Sequence, residues 1–230
     1  ISVISTGDEL VSSISKERSN GQIYDANRPM LLSLLNSNYL ETIDMGIVKD
    51  IREDLANKYN ECISKSDVVI SSGGASDGVE DHTQNALKDI GAKCIVWQLA
   101  MKPGKPMSIG LLGKKIIFCL PGNPVAAFVC TKLLIKPLII KLAGGVNLNP
   151  LSMKLPSGFT HNKKTGRAEY LRAKIINENA KTFITIHGRK GAGVISSLTG
   201  ADGIVEIPME YKSVVKGELL NFFPFDHRGL

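Results

Sequence analysis

Through residue 143 the chain alternates between two hydrophobic periods. Strand-like apolar runs at residues 2–5, 39–48, 67–72, 94–99, 107–112 and 115–120 are separated, for the most part, by helical patterns at 25–37, 51–64, 80–90 and 123–143. Strand and helix in succession predict parallel strands joined by crossover helices, hence a three-layer α/β/α domain with a mostly parallel sheet. Asp25 is placed to cap the helix whose apolar stripe is Met30, Leu31, Leu34 and Leu35. The run 107–120, with Gly110 and Gly113, predicts two strands about a tight turn, a hairpin inserted into the series.

The texture changes at residues 143–150, where glycine, asparagine and proline gather into a linker. Beyond it, runs at 167–176, 181–187, 203–208 and 217–222 are short, separated by turn residues, and joined by no helix of comparable length. That pattern predicts a small all-β, barrel-like module. The expected division is therefore 1–145 for the α/β domain and 150–230 for the β domain. With 230 residues, 43% of them apolar, the chain can bury one substantial core and a smaller one.

Three loops carry the functional signal. Ser71-Ser72-Gly73-Gly74-Ala75-Ser76-Asp77-Gly78 follows the apolar run Val68-Val69-Ile70, and bare glycines between a buried strand and a helix let backbone N–H groups approach an anion. Lys102-Pro103-Gly104-Lys105-Pro106 sets two lysines on a stretch stiffened by prolines, and Leu120-Pro121-Gly122-Asn123-Pro124 is a proline-shaped turn into a helix. Each alone is ordinary turn chemistry. In a parallel sheet, however, loops at the carboxyl ends of strands converge on one edge, and three of them together predict a cradle for a phosphorylated or oxyanionic ligand.

Charge is polarised along the chain. Residues 1–89 hold fifteen acidic and eight basic side chains, whereas residues 90–168 hold twelve basic side chains and no Asp or Glu. Lys114, Lys115, Lys163 and Lys164 read as solvated surface, but Lys102 and Lys105 are confined by prolines. A carboxylate-rich half beside a lysine-rich half suits a divalent cation plus an anion. No basic stripe interleaved with aromatics appears, so nucleic acid is not expected as a partner. Neither is a membrane: no run of about 18 apolar residues exists, and the start lacks a basic n-region. The chain opens at Ile1 inside a strand-like run and without Met, as a piece of a longer protein would. Cys62, Cys94, Cys119 and Cys130 show no CxxC spacing, and the four histidines are scattered singly, so neither zinc nor disulfides are expected. Gly188 to Gly193 lacks the strand–loop–helix context of a phosphate loop and reads as a turn.

With these residues together, the chain resembles the molybdopterin molybdenumtransferase family, of the MoeA and gephyrin E-domain type. The resemblance rests on Ser5-Thr6-Gly7-Asp8-Glu9-Leu10, Gly21-Gln22-Ile23-Tyr24-Asp25-Ala26-Asn27, the Gly73-Gly74 loop with Asp81, the lysine loop and Leu120-Pro121-Gly122-Asn123-Pro124. It continues through Arg167-Ala168-Glu169-Tyr170-Leu171-Arg172 and Ser196-Ser197-Leu198 to Ala201-Asp202-Gly203. The family's proteins carry two further N-terminal domains.

The resemblance implies a molybdopterin-binding fold and a role in molybdenum cofactor biosynthesis: insertion of molybdate into adenylylated molybdopterin with release of AMP. It implies substrate binding by Thr6, Gly73, Gly74, Ser76 and Asn123, with Pro121 and Pro124 shaping the loop. Asp50 and Asp81 would hold a Mg²⁺ ion, Lys102 and Lys105 would attract molybdate or the pyrophosphate, and Glu9 would act as a polar or acid–base group. Asp50 reads equally as a helix cap before Ile51, and Glu9 also reads as a solvated loop residue. A cytoplasmic homodimer is implied, with Arg167, Arg172 and Ser196 or Ser197 of one copy near the other's site, and substrate handed over by an adenylyltransferase. Two residues depart from the family pattern, Gln98 where a lysine is common and Asp77 where an apolar residue is common, and both make the pocket less positive. The alternatives are the adenylyltransferase itself, built on the same α/β fold, and a non-catalytic scaffold that binds peptides.

Overall fold

In the computed structural model of the chain, described for residues 1–12, 17–73, 82–146, 149–188 and 195–225, contacts divide the molecule into two units. Unit 1 is Ile1–Leu99 with Pro106–Thr131, and unit 2 is Ala100–Lys105 with Lys132–Leu230.

Unit 1 contains β1 (Ser2–Thr6), β2 (Leu10–Val11), β3 (Ile23–Tyr24), α1 (Asn27–Leu35), β4 (Ile43–Val48), α2 (Arg52–Lys65), β5 (Val68–Ser72), α3 (His82–Asp89) and β6 (Lys93–Gln98). After β7 (Met101–Lys102), which belongs to unit 2, it resumes with β8 (Pro106–Leu112), β9 (Lys115–Leu120) and α4 (Pro124–Cys130). Its main sheet has the order β4-β1-β5-β9-β8-β6. The first four strands are mutually parallel, and β8 and β6 add an antiparallel edge.

β1 and β5 are buried at every residue, as central parallel strands covered on both faces must be. Alternation along them sorts two helix layers. Ile4, Val69, Ile117 and Cys119 share a core with Leu55, Tyr59 and Cys62 of α2 and Ala86 and Leu87 of α3. The alternate positions Val3, Ile70 and Phe118 are equally buried, lie in register with one another and fall outside that cluster, so they serve the face where α1 packs with α4. The expected hairpin is present: Leu112 pairs with Lys115 across Gly113-Lys114, with φ +59° at Gly113, the first-position glycine of a type II′ turn.

A π-helical turn, Thr131–Ile135, follows α4 in the chain, and unit 2 then holds α5 (Lys136–Leu142). There follow β10 (Met153–Pro156), β11 (His161–Asn162), β12 (Ala168–Glu178), β13 (Lys181–Ile186), β14 (Gly203–Ile207), β15 (Ser213–Val214) and β16 (Leu219–Pro224). The sheet order is β10-β16-β14-β12-β13, antiparallel throughout. A bridge from Ser157 to Ile184, with the Gly158 N–H donating to the Ile184 carbonyl at 2.8 Å, brings the first strand's end to the last strand and makes the module barrel-like. Phe159, Ala173, Ile184, Val205, Ile207, Val214, Leu220 and Phe222 fill it.

Three differences from the sequence reading matter. The strand expected over 39–48 starts at Ile43, because Ser37 and Leu40 close a tight turn of their own. The helix expected over 123–143 is interrupted by the π turn, which no residue pattern marks. Residues 100–105, expected inside the α/β domain, pack with unit 2, because β7 pairs in parallel with β12 through Met101 with Ala168 and Lys102 with Glu169.

Candidate functional site

In unit 1 the carboxyl ends of β1, β4, β5 and β9 share one edge of the sheet, and the loops that leave them begin at Gly7, Lys49, Gly73 and Pro121. Gly73 sits there with φ +105°, its N–H donating to the Leu120 carbonyl at 3.1 Å. A Cβ on Gly73 would lie 2.2 Å from the Thr6 carbonyl oxygen and 3.0 Å from the Thr6 hydroxyl, so only glycine fits. Gly122 packs against it: a Cβ there would stand 3.6 Å from the Gly73 Cα.

Asn27, the first residue of α1, ties these loops together. Its Nδ2 donates to the Ser72 hydroxyl at 2.7 Å and to the Gly122 carbonyl at 2.8 Å. The helix that carries it is anchored by Asp25, which accepts from the Ser5 hydroxyl at 2.9 Å, from the Arg28 N–H at 3.2 Å and from Arg28 Nε at 2.9 Å, while Arg28 also pairs with Asp44. Asp25 thus does serve the helix start, although the N-cap position itself falls on Ala26. Three buried polar atoms at this edge find no hydrogen-bond partner among the described residues: Thr6 Oγ1, Asn27 Oδ1 and Asn123 Oδ1. Asn123 occupies the N-cap position of α4 yet makes no side-chain capping bond, with Pro124 taking the first helical turn. Pro121 is buried. This part of the edge therefore presents hydroxyl and amide oxygens without formal charge, suited to the N–H and O–H groups of a polar ring or sugar.

Charge enters at one side of that edge. The Asp50 N–H donates to Asp8 Oδ1 at 3.4 Å, which draws the loop after β4 toward the loop after β1. The N-cap position of α2 falls on Ile51, not on Asp50. Glu9 is exposed and its carboxylate folds back over Gly7, 2.6 Å from where a Cβ on that glycine would stand. Gly74, Ser76, Asp77 and Asp81 lie outside the described residues, as does the turn after Gly188. Among the described residues no group of three His, Cys, Asp or Glu side chains gathers to hold a metal.

Unit 2 builds a different surface. A cavity of about 690 Å³ is lined by Lys102, Pro103, His161, Lys163, Lys164, Arg167, Glu169, Arg172 and several neutral residues, so one carboxylate faces five permanent cations. That carboxylate is 8% exposed and fully engaged: Glu169 Oε1 accepts from Lys102 Nζ at 3.1 Å, and Oε2 is 2.9 Å from His161 Nε2. Burial alone would raise the Glu169 carboxyl, but the hydrogen bonds and charge from His161 and Lys102 outweigh it and hold the group below its usual range. Lys163 is spent on structure, its Nζ donating to the carbonyls of Pro208, Met209 and Tyr211 at 3.0 to 3.3 Å. Arg172 is 5% exposed, and burial lowers the pKa of its guanidinium. Arg167 and Lys164 are exposed. Lys105 is half-buried and does not line the cavity. Ser196 is exposed, and Ser197 is buried against Gly188 of the cavity wall.

Sequence reasoning assigned no role to Asn27, Glu169 or His161. Glu169 carried a usable signal, being the first acid after the acid-free stretch 90–168. Asn27 entered only as the last residue of the motif that begins at Gly21 and His161 only as a scattered histidine, and neither contact could be read because the partners lie 95, 45 and 8 residues away.

Comparison with known proteins places these features. Residues 2–141 match the family model described as probable molybdopterin binding domain, and residues 154–225 match the MoeA C-terminal region, domain IV. A molybdopterin molybdenumtransferase of Haemophilus influenzae is 34% identical over 99% of this chain and 56% of its own length. The molybdenum cofactor synthesis protein cinnamon of Drosophila melanogaster is 31% identical over 90% of this chain and 35% of its own. The crystal structure of a molybdopterin biosynthesis MoeA protein from Pyrococcus horikosii superposes with a TM-score of 0.81 at 31% identity, covering 98% of this chain and 54% of that one. The chain spans about half the length of the bacterial relative and of the solved structure it matches.

Proposed function

We propose, for a chain that belongs to the MoeA family of molybdopterin molybdenumtransferases, that it carries out the metal insertion of molybdenum cofactor biosynthesis: molybdate enters adenylylated molybdopterin and AMP is released. The observation that carries this reading is the cation-lined cavity of about 690 Å³ with Lys102 on its wall. A tetrahedral dianion suits a wall of ammonium and guanidinium groups, and a reaction that moves oxyanions needs charge neutralisation and alignment more than covalent help.

Within this reading the neutral edge of unit 1 takes the pterin nucleotide. Gly73 and Gly74 admit its phosphate close to the backbone, Ser76 and Thr6 contribute hydroxyls, and Asn123 receives a donor from the ligand, with Pro121 and Pro124 holding the loop's shape. Lys102 and Lys105 attract the oxyanion, and Arg167 and Arg172 enlarge the positive field around Lys102. Glu9 serves as a polar or acid–base group. Asp50 and Asp81 hold a Mg²⁺ ion; Asp50 offers a hard oxygen donor at the same sheet edge, as that ion requires. Bound there, Mg²⁺ would neutralise phosphate charge.

The chain acts as a homodimer in the cytoplasm and receives its substrate from an adenylyltransferase. No helix among the described residues is long and apolar enough to cross a membrane. The test is to load the protein with adenylylated molybdopterin, add molybdate and follow AMP. Release that depends on molybdate supports insertion; nucleotide binding with no release supports a scaffold instead. Sedimentation at high micromolar concentration tests the dimer, which a strict monomer would refute.

A further inference from the structure

We propose that Glu169 and His161 are positioning residues for Lys102, and that the charge on His161 decides how strongly Lys102 is available to an anion in the cavity of unit 2. The inference rests on the reading of Lys102 as the oxyanion's partner.

Lys102 has a side chain 59% exposed, and a free lysine there would sample many rotamers. Glu169 prevents that. Its position opposite Lys102 in the β7–β12 pairing sets the two side chains together, and the 3.1 Å bond fixes the ammonium at the cavity wall. The same bond has a cost for function, since a carboxylate that holds an ammonium also cancels its field. His161 occupies the other carboxylate oxygen at 2.9 Å, with a side chain only 12% exposed. One carboxylate is thus divided between two cation donors, and its second partner is the side-chain type whose charge ordinarily changes between about pH 5 and 8.

When His161 is neutral, Lys102 is the sole cation on Glu169. When His161 gains a proton, its bond to Glu169 becomes charge-assisted, the carboxylate is balanced from that side, and the field of Lys102 is released toward the cavity. The groups facing the pair are few. Lys102 comes from β7, Glu169 and Arg172 from β12, and Lys163, Lys164 and Arg167 from the segment between β11 and β12; β15, paired with β11, contributes only Ser213 and Val214. Among the described residues that line the cavity every charged side chain except Glu169 is basic, and Tyr170 on the same wall donates to Glu206 of β14 at 3.0 Å; an anion in the cavity therefore favours the protonated histidine, and by linkage the protonated histidine favours the anion.

Sulfate is a suitable probe, a tetrahedral dianion that keeps its charge over this range. Calorimetry on the full chain should show its affinity rising about fivefold between about pH 8 and about pH 6, a coupling at the modest end for linked sites. Binding near the middle of that range should take up protons, seen as a dependence of the heat on the buffer's ionisation enthalpy. His161→Asn, which keeps a neutral donor, should abolish both the slope and the uptake. Glu169→Gln, which removes both the countercharge and the anchor of Lys102, should bind sulfate with no dependence on pH over this range. Lys102→Ala should lose most of the binding at either pH; if it binds like the wild type, the oxyanion reading of Lys102 fails and this inference with it. If Lys102→Ala weakens binding while His161→Asn keeps the wild-type slope and proton uptake, the role of Lys102 stands and the positioning role is refuted. Because Glu169→Gln removes a buried charge and risks misfolding, the wild-type proton count and His161→Asn decide the matter without it.

Discussion

The two units handle polar chemistry in opposite ways. At the sheet edge of unit 1, Gly73, Asn27, Ser72 and Gly122 are arranged by steric fit and by neutral hydrogen bonds, and the oxygens left over are amide and hydroxyl groups. In unit 2, the cavity wall is arranged by ion pairs, with Glu169 held between Lys102 and His161 among arginines and lysines. The contrast shows how geometry and charge can be assigned to separate parts of a chain. A neutral edge discriminates shape and hydrogen-bonding pattern, because a wrong ligand leaves buried groups unpaired. A cationic cavity attracts any anion of suitable size and is tuned by how much of its charge is already neutralised.

Substitution at Gly73 is the most severe test of the first half. Gly73→Ala forces a Cβ to within 2.2 Å of a backbone oxygen at a positive φ, so unit 1 should lose at least about 3 kcal/mol and its nucleotide binding. Denaturant unfolding and calorimetry with the pterin nucleotide measure both; unchanged values would mean that steric fit does not govern this edge. For the charged half, Lys102→Ala should slow molybdate-dependent AMP release about 10²-fold, the scale for one preorganised electrostatic group. Lys114→Ala, in the exposed hairpin turn, should leave the rate near wild type. Equal losses from the two lysines would reduce the cavity to a general positive field.

Asn27 sharpens the comparison from the neutral side. Removing it breaks two hydrogen bonds that join the loops after β5 and β9, so Asn27→Ala should weaken nucleotide binding about tenfold. The effect should resist added salt, because no charge is removed. The smallest effect concerns acid stability. Glu169 lies below its usual range when folded, so the stability it contributes is present above the ordinary carboxylate pKa and is lost as pH falls through the lowered value. Glu169→Gln should therefore flatten the acid limb of the unfolding midpoint below the ordinary carboxylate pKa, and only slightly, because its partner Lys102 is largely exposed. A limb as steep as that of the wild type would show that the ion pair contributes nothing to folding.

How much of this was legible in the residues follows from the range of each signal. Gly73, Pro121 and Pro124 constrain the backbone locally, so their loops could be located from the residues around them. The parallel series was legible because burial on both faces of β1 and β5 demands uninterrupted apolar runs. The α2 stripe Leu55, Tyr59 and Cys62 repeats at helical spacing and was visible for the same reason. Strands of two residues, such as β2, β3, β11 and β15, are too short to show a period. The decisive contacts of the site were illegible because they are distant: Asn27 reaches 95 residues to Gly122, and Lys102 reaches 67 to Glu169. Lys102 and Lys105 were read as a matched pair from their shared loop, yet of the two only Lys102 lines the cavity: β-pairing fixes the residue at 102, whereas Lys105 falls between β7 and β8.

The pairing of β7 with β12 also determines how the chain can be divided. The backbone passes from one unit to the other after residues 99, 105 and 131, so no single cut separates them. A fragment that begins at the linker would carry β12 with Ala168 and Glu169 stripped of their partners, an open strand edge of the kind that recruits foreign chains. During synthesis Lys102 leaves the ribosome 67 residues before Glu169 and waits for it. Domain-swap or truncation experiments on this chain should therefore transplant residues 100–105 together with the β module, and homologous chimaeras joined only at the linker should fold poorly even when both halves are individually sound.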